Sequence, residues 1–156
     1  MPLHVQGHFF SFMAKIPVEL IELEHHNYHL LVQGKFEDGE KGYWIIDTGA
    51  SKTVFDKRLE KYYTLVEPTN DEEYQSAGIS EGMVETGVGE LRSMAFGKLK
   101  ITAQKVALIN LDHVNEIYRK YRDVRICGLL GSDLLKKHQC VIDYKYETIS
   151  FSRPRK

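Results

Sequence analysis

Apolar and polar positions along the chain alternate in short runs, with a period of two far more often than 3.6. Ile16, Val18, Leu20 and Leu23 mark an extended segment with one break in its alternation, and His29 to Phe36 returns as a second strand after a turn at Glu24 to Asn27. Glu37 to Gly42, polar and carrying two glycines, predicts a tight turn into a third strand that ends Tyr43-Trp44-Ile45-Ile46. Thr53-Val54-Phe55 is extended again, and Asp56 is placed to cap a short helix bearing Leu59, Tyr62 and Tyr63 on one side. After the polar connection Glu67 to Glu73, the stretch Tyr74 to Val88 holds three glycines and few large apolar residues, which predicts mobility because little is available to pack.

The second half repeats the pattern. Gly89 to Phe96 and Lys98 to Val106 read as two strands separated by Gly97, and Val106 to Ile109 continues as an apolar strand. Leu111, Val114, Ile117, Tyr118 and Tyr121 fall at helical spacing, with Asp112 available as a cap, and predict an ordinary amphipathic helix. Val124 to Cys127 leads into Gly128-Leu129-Leu130-Gly131, after which Ser132 is placed to cap a short helix through Leu134, Leu135 and Lys136. Val141 to Tyr144 and Thr148 to Phe151 form the last hairpin. Many short strands with few helices predict an all-β chain, in which strand, glycine turn and short helix occur twice.

Composition narrows this further. With 156 residues, 42% hydrophobic and 28% charged, the chain suits one globular core and is short for two. The net charge of −1, with both signs scattered, leaves no electrostatic footprint for nucleic acid. Two cysteines, Cys127 and Cys140, lack metal-ligand spacing and are read as reduced thiols. His25, His26 and His29 lie where a turn is expected and are read as solvated, so no metal and no cofactor is expected. The opening Met1 to Met13 lacks the basic start and cleavage pattern of a leader, and no run spans a bilayer, so a cytoplasmic protein without membrane contact is expected.

Chemistry concentrates at Asp47-Thr48-Gly49-Ala50-Ser51. Two isoleucines deliver a carboxylate straight from an apolar strand into a turn of small and hydroxyl-bearing residues, an expensive place for an acid unless it has work there. A strand ending in an ordinary Asx turn is the simpler account. On average residue usage, however, these five letters arise by chance in a chain this size on the order of 10⁻⁴ times.

At these residues the chain resembles the retropepsin-like aspartic proteases, over roughly residues 15 to 152. Its anchors are Asp47 to Ser51, then Gly128-Leu129-Leu130-Gly131-Ser132-Asp133-Leu134-Leu135, and the closing Val141-Ile142-Asp143-Tyr144. The resemblance implies a closed acid-protease barrel, with residues 1–14 as an N-terminal extension and 153–156 as a basic tail. It implies an aspartic endopeptidase with Asp47, Thr48 and Gly49 at the catalytic centre. Ala50, Ser51, Leu130 and Gly131 are then expected to bind a peptide substrate, together with the flap residues Gly78, Ile79 and Ser80. Gly87-Val88-Gly89 is the competing position for the flap tip.

The family's chemistry needs two carboxylates that share a proton, and no other aspartate here is followed by Thr-Gly or Ser-Gly within such a turn. The resemblance therefore implies a homodimer with one Asp47 from each chain, Thr48 bonding across the twofold axis. Ala50 matches the retroviral choice over the serine of pepsins and implies a working pH nearer neutrality. Many retroviral enzymes carry Asp where Ser51 stands and Arg where Ser132 stands, and here both charges are absent together. Two other functions are compatible with parts of the pattern. A dimeric peptide-binding scaffold without proteolysis would not require an intact Asp-Thr-Gly. A phosphate-binding loop would call for a lysine and βαβ alternation, both missing.

Overall fold

The computed structural model describes residues 13–67 and 85–154. The first extended segment is two strands in different sheets. β1 (Met13–Pro17) pairs with the last strand of the chain, whereas β2 (Glu19–Leu23) pairs with β3 (Asn27–Phe36). The break in alternation seen in the sequence is this crossover: Val18 is buried between the strands and its N–H donates to the Glu147 carbonyl at 2.9 Å. The turn joining β2 to β3 is a 3₁₀ turn, Glu24–His26, with His25 and His26 exposed in the left-handed region at φ 58° and 61°.

β4 (Lys41–Ile46) runs antiparallel to β3 in the register Leu31↔Ile45 and delivers Asp47. β5 (Val54–Asp56) follows. The helix expected after Asp56 is reduced to a 3₁₀ turn, Glu60–Tyr62, before β6 (Tyr63–Val66) begins. Tertiary packing overrides the local preference here. The Tyr62 ring stacks on Phe36 at 3.8 Å and the Tyr63 hydroxyl donates to the Lys57 carbonyl at 2.6 Å, so the two tyrosines are drawn to separate partners. Asp56 is no helix cap. Its buried carboxylate accepts from Arg125 Nη2 at 2.9 Å and from the Arg58 N–H at 3.1 Å.

The apolar strand expected at Val106 to Ile109 forms as β10 (Lys105–Ile109), but the two runs expected over Gly89–Phe96 and Lys98–Val106 divide differently, into β7 (Glu85–Leu91), β8 (Met94–Phe96), β9 (Leu99–Ile101) and the start of β10. β7 pairs with β6 and β10, while the β8–β9 hairpin swings away to pair with β3, so both long runs must break where the chain changes partner. α1 (Asp112–Arg119) forms as expected, but its first turn is capped from outside, Asn110 Oδ1 accepting the Asp112 N–H at 2.8 Å. The Asp112 carboxylate instead pairs with Arg58.

β11 (Ile126–Leu130) leads into α2 (Ser132–Lys137), then β12 (Val141–Asp143) and β13 (Thr148–Ser152). Gly131, not Ser132, is the residue before the first turn of α2, and Asp133 Oδ1 accepts the Leu134 N–H at 2.8 Å. Among the described residues the large sheet has the order β6-β7-β10-β5-β11-β4-β3-β8-β9 with β2 on β3, curled into a half-barrel, and β1-β13-β12 form a small second sheet. This is the all-β class the pattern predicts.

The curl creates two apolar cores. Trp44, Phe55, Phe96 and Phe151 lie in the larger, and Leu31, Ile45, Val54 and Leu129 lie in the smaller, with Tyr118 of α1. Adjacent residues such as Trp44 and Ile45 therefore point into different cores, and every residue of β11 is buried. No helix among the described residues is long and apolar enough to cross a membrane.

Candidate active site

Asp47 stands at the end of β4, in a loop clasped to the turn between β11 and α2. Its N–H donates to the Leu130 carbonyl at 3.0 Å, its own carbonyl accepts from the Ala50 N–H at 3.2 Å, and the Ala50 carbonyl accepts from the Ser132 N–H at 2.8 Å. The carboxylate Oδ1 accepts from the Gly49 N–H at 3.1 Å. β4 and β11 lie side by side and parallel, so the two glycine turns that the sequence repeats emerge next to each other.

Gly131 is required by this approach. A Cβ there would lie 2.6 Å from the Lys52 carbonyl carbon and oxygen and 2.9 Å from the Thr53 nitrogen, backbone atoms that cannot give way. Its N–H donates to Thr53 Oγ1 at 3.1 Å, and the Thr53 hydroxyl donates to Asp133 Oδ1 at 2.7 Å. Thr53 is wholly buried, so this relay satisfies polar groups that would otherwise be costly. Neither Thr53 nor Asp133 stood out as a site residue in the sequence. The available signal was a threonine set directly before the apolar Val54-Phe55.

Asp47 is half-buried, Thr48, Gly49 and Ser51 are exposed, and Ala50 and Gly131 are buried. Leu130 is fully buried in the larger core, so its side chain does not face a ligand and it serves the site through its carbonyl. Leu129 instead lines a cleft of about 410 Å³ beside Asp47, with His29, Ile45, Val114 and Tyr118 among its walls. The helix read as an ordinary amphipathic element is thus one side of the cleft. The Tyr118 hydroxyl lies 2.6 Å from His29 Nδ1, and burial pushes the Tyr118 phenol well above its usual range.

Gly78, Ile79 and Ser80, with the rest of residues 68–84, lie outside the described residues. The competing tip, Gly87-Val88-Gly89, lies within β7. There Gly89 pairs with Leu65 of β6 and Val106 of β10, and Val88 is buried, so these residues form part of a sheet interior and not a turn.

Other groups that could carry chemistry are committed elsewhere. Asp133 is held by Thr53, Asp56 by Arg125, and Asp143 Oδ1 accepts from the N–H groups of Lys145 and Tyr146. Both thiols are free, but burial pushes Cys140 up to about 12 and Cys127 well above the ordinary range, so neither is a ready nucleophile.

A half-barrel that ends an apolar strand in an Asp-Thr-Gly loop, braced by a second glycine turn, defines a protein of the aspartic protease class. Residues 32–134 match the family described as "Aspartyl protease", and the chain belongs to that family. Its fold is that of the small, single-domain retropepsin-like proteins. One solved structure similar to it is a retropepsin-like aspartic protease from Rickettsia conorii, 17% identical over 94% of this chain and 96% of that one, with a TM-score of 0.47. Another is the retroviral protease-like domain of Ddi1 from Leishmania major, 16% identical over 82% of this chain and 94% of that one, with a TM-score of 0.53. No protein of curated function matches the chain.

Proposed function

We propose that the protein is an aspartic endopeptidase whose active site is completed by a second copy of the chain. The observation that carries this is that Asp47 is the one carboxylate lining its cleft among the described residues. A water held between two such acids is activated when the ionised member takes its proton and the protonated member polarises the peptide carbonyl. Attack then gives a tetrahedral intermediate without an acyl-enzyme, so no serine or cysteine nucleophile is needed. The Gly49 N–H on Asp47 Oδ1 steadies the carboxylate for this role.

The surface on the far side of the loop suits the second chain. A cleft of about 460 Å³ runs from the exposed Thr48 past Ser132 and Leu135 to Cys140 and Ile142. It meets β12, which pairs only with β13 among the described residues and presents Val141 61% exposed. An unpaired edge carrying an apolar side chain is a ready strand-pairing surface. The exposure of Thr48 supports a bond from its hydroxyl to the partner's loop in such a dimer. The unbridged Cys127 and Cys140 fit a reducing, cytoplasmic setting.

Cleavage of a denatured protein substrate, followed as enzyme concentration is lowered, tests the shared site. Specific activity per chain is expected to fall as the concentration passes through the dimerisation constant measured by sedimentation. A strict monomer that cleaves with dilution-independent specific activity would overturn it. A dimer that binds peptides without cutting them would leave a peptide-binding scaffold as the better account.

A further inference from the structure

Lysines that are scattered along the sequence are gathered by the sheet. Lys41 of β4 stands opposite Lys35 of β3, Lys35 stands opposite Ala95 of β8, and Ala95 stands opposite Lys100 of β9. One row across four strands therefore reads Lys-Lys-Ala-Lys. All three lysines are exposed, whereas Phe36, Gly42, Leu99 and Ile101 beside them are buried, so the three ammoniums share the outer face. Paired strands lie about 4.8 Å apart, which gives the row a length of roughly 14 Å.

Like charges directly opposite one another weaken a sheet. Lys35, Lys41 and Lys100 nevertheless have no ion-pair partner among the described residues. Lys35, Ala95 and Lys100 line a hollow of about 310 Å³ floored by Phe36 and Met94, and the short side chain of Ala95 leaves it open between the two lysines. Glu37 is the one carboxylate in its lining. The adjoining hollow shares Glu37 and Ser93 and adds Arg92, while its Asp38 is taken up by Tyr62 and Lys61. Cations left without a partner thus outnumber the acid.

On β4, Lys41, Tyr43 and Ile45 alternate onto one face and Asp47 follows two residues on. Lys41 to Asp47 spans about 20 Å of strand, and Ile45 between them packs in one core with Tyr118 of α1, so the lysine row is separate from the cleft at Asp47. We propose that this row is a docking surface for an acidic segment of the protein substrate, placed at least roughly six extended residues from the scissile bond. Carboxylates of the segment neutralise the three lysines, and one of its side chains enters the hollow over Ala95. The length of the row suits an extended chain better than a single small anion, and the apolar floor with Glu37 on the rim favours a peptide over a phosphodiester chain. The word substrate rests on the protease assignment, whereas the docking surface is tested without it.

Fluorescence anisotropy with a fluorescein-labelled poly-glutamate peptide measures docking. The parent is expected to bind it, less tightly as salt is raised, and the double variant Lys35→Gln, Lys100→Gln at least tenfold more weakly. Exposed lysines elsewhere supply the control: Lys120→Gln with Lys145→Gln removes the same charge and should leave binding within twofold. Equal losses in the two double variants would reduce the effect to net charge and overturn the surface, as would a parent that ignores the peptide or prefers single-stranded RNA of equal charge. In the cleavage assay, a denatured substrate with a Glu-rich tail should show a lower KM than the same substrate with a Ser-rich tail. Lys35→Gln, Lys100→Gln should abolish that difference at unchanged kcat. Identical KM values for the two substrates in the parent would overturn substrate docking while leaving proteolysis intact. A parent that binds the peptide and cuts neither substrate would sink the protease assignment and leave the acidic docking surface standing.

Discussion

Thr53 shows how much a single hydroxyl carries in this site. It receives the Gly131 N–H and donates to Asp133, so it joins the loop after Asp47 to the turn that braces it. Thr53→Val keeps the shape but removes both bonds, leaving a buried N–H without a partner, and is expected to cost about 1–3 kcal/mol. Urea unfolding at fixed protein concentration measures this, and Thr53→Ser should recover most of the loss. A valine variant as stable as the parent would mean that the relay has no structural weight.

At the scale of elements, His138 links the end of α2 to β13. Its Nδ1 lies 3.0 Å from the Ser152 carbonyl, which can only accept, so Nδ1 carries the proton, and the Ser152 N–H donates to the His138 carbonyl at 2.7 Å. Nε2 is buried with no hydrogen-bond partner among the described residues. Protonating it would bury an N–H with no acceptor, and desolvation with the neighbouring Lys137 charge lowers the folded-state pKa below 6.5. The unfolded chain then takes up a proton before the folded one does. This contribution to stability is fully present above pH 6.5 and is lost progressively as pH falls through the lowered value. Thermal unfolding of the parent and His138→Gln at several pH values between 7.5 and 5 checks it: the parent should lose more stability than the variant across that range. Parallel curves would show that His138 does not titrate in this way.

At the scale of the whole molecule, the proposed shared site would make each chain half of a catalytic centre. Asp47→Asn retains the loop's geometry but can neither take the water's proton nor share one, so the dimer should persist while proteolysis falls to background. Mixed dimers with one Asp and one Asn are expected to be nearly inactive as well. Co-expression with two different tags and sequential purification isolates them for assay. Mixed dimers keeping close to half the parent's activity would mean that each Asp47 acts alone.

Much of this protein was legible along the chain. Asp47 leaving an apolar strand into Thr48-Gly49 is a local event, set by turn chemistry and by alternation of period two, and the repeated glycine turn at Gly131 is local in the same sense. Hydrogen-bond partners are chosen across the fold, and no local pattern reports them. That is why one expected strand became β1 and β2, why Asp56 turned inward to Arg125 and did not start a helix, and why Gly87-Val88-Gly89 sits inside a ladder. Thr53 and Asp133 are 80 residues apart, and Tyr118 and His29 are 89 apart. Only the curl of the sheet brings each pair within bonding distance. The identity of the acid follows from neighbours in sequence, whereas its bracing and the shape of its cleft follow from neighbours in space, since packing joins residues without regard to their order.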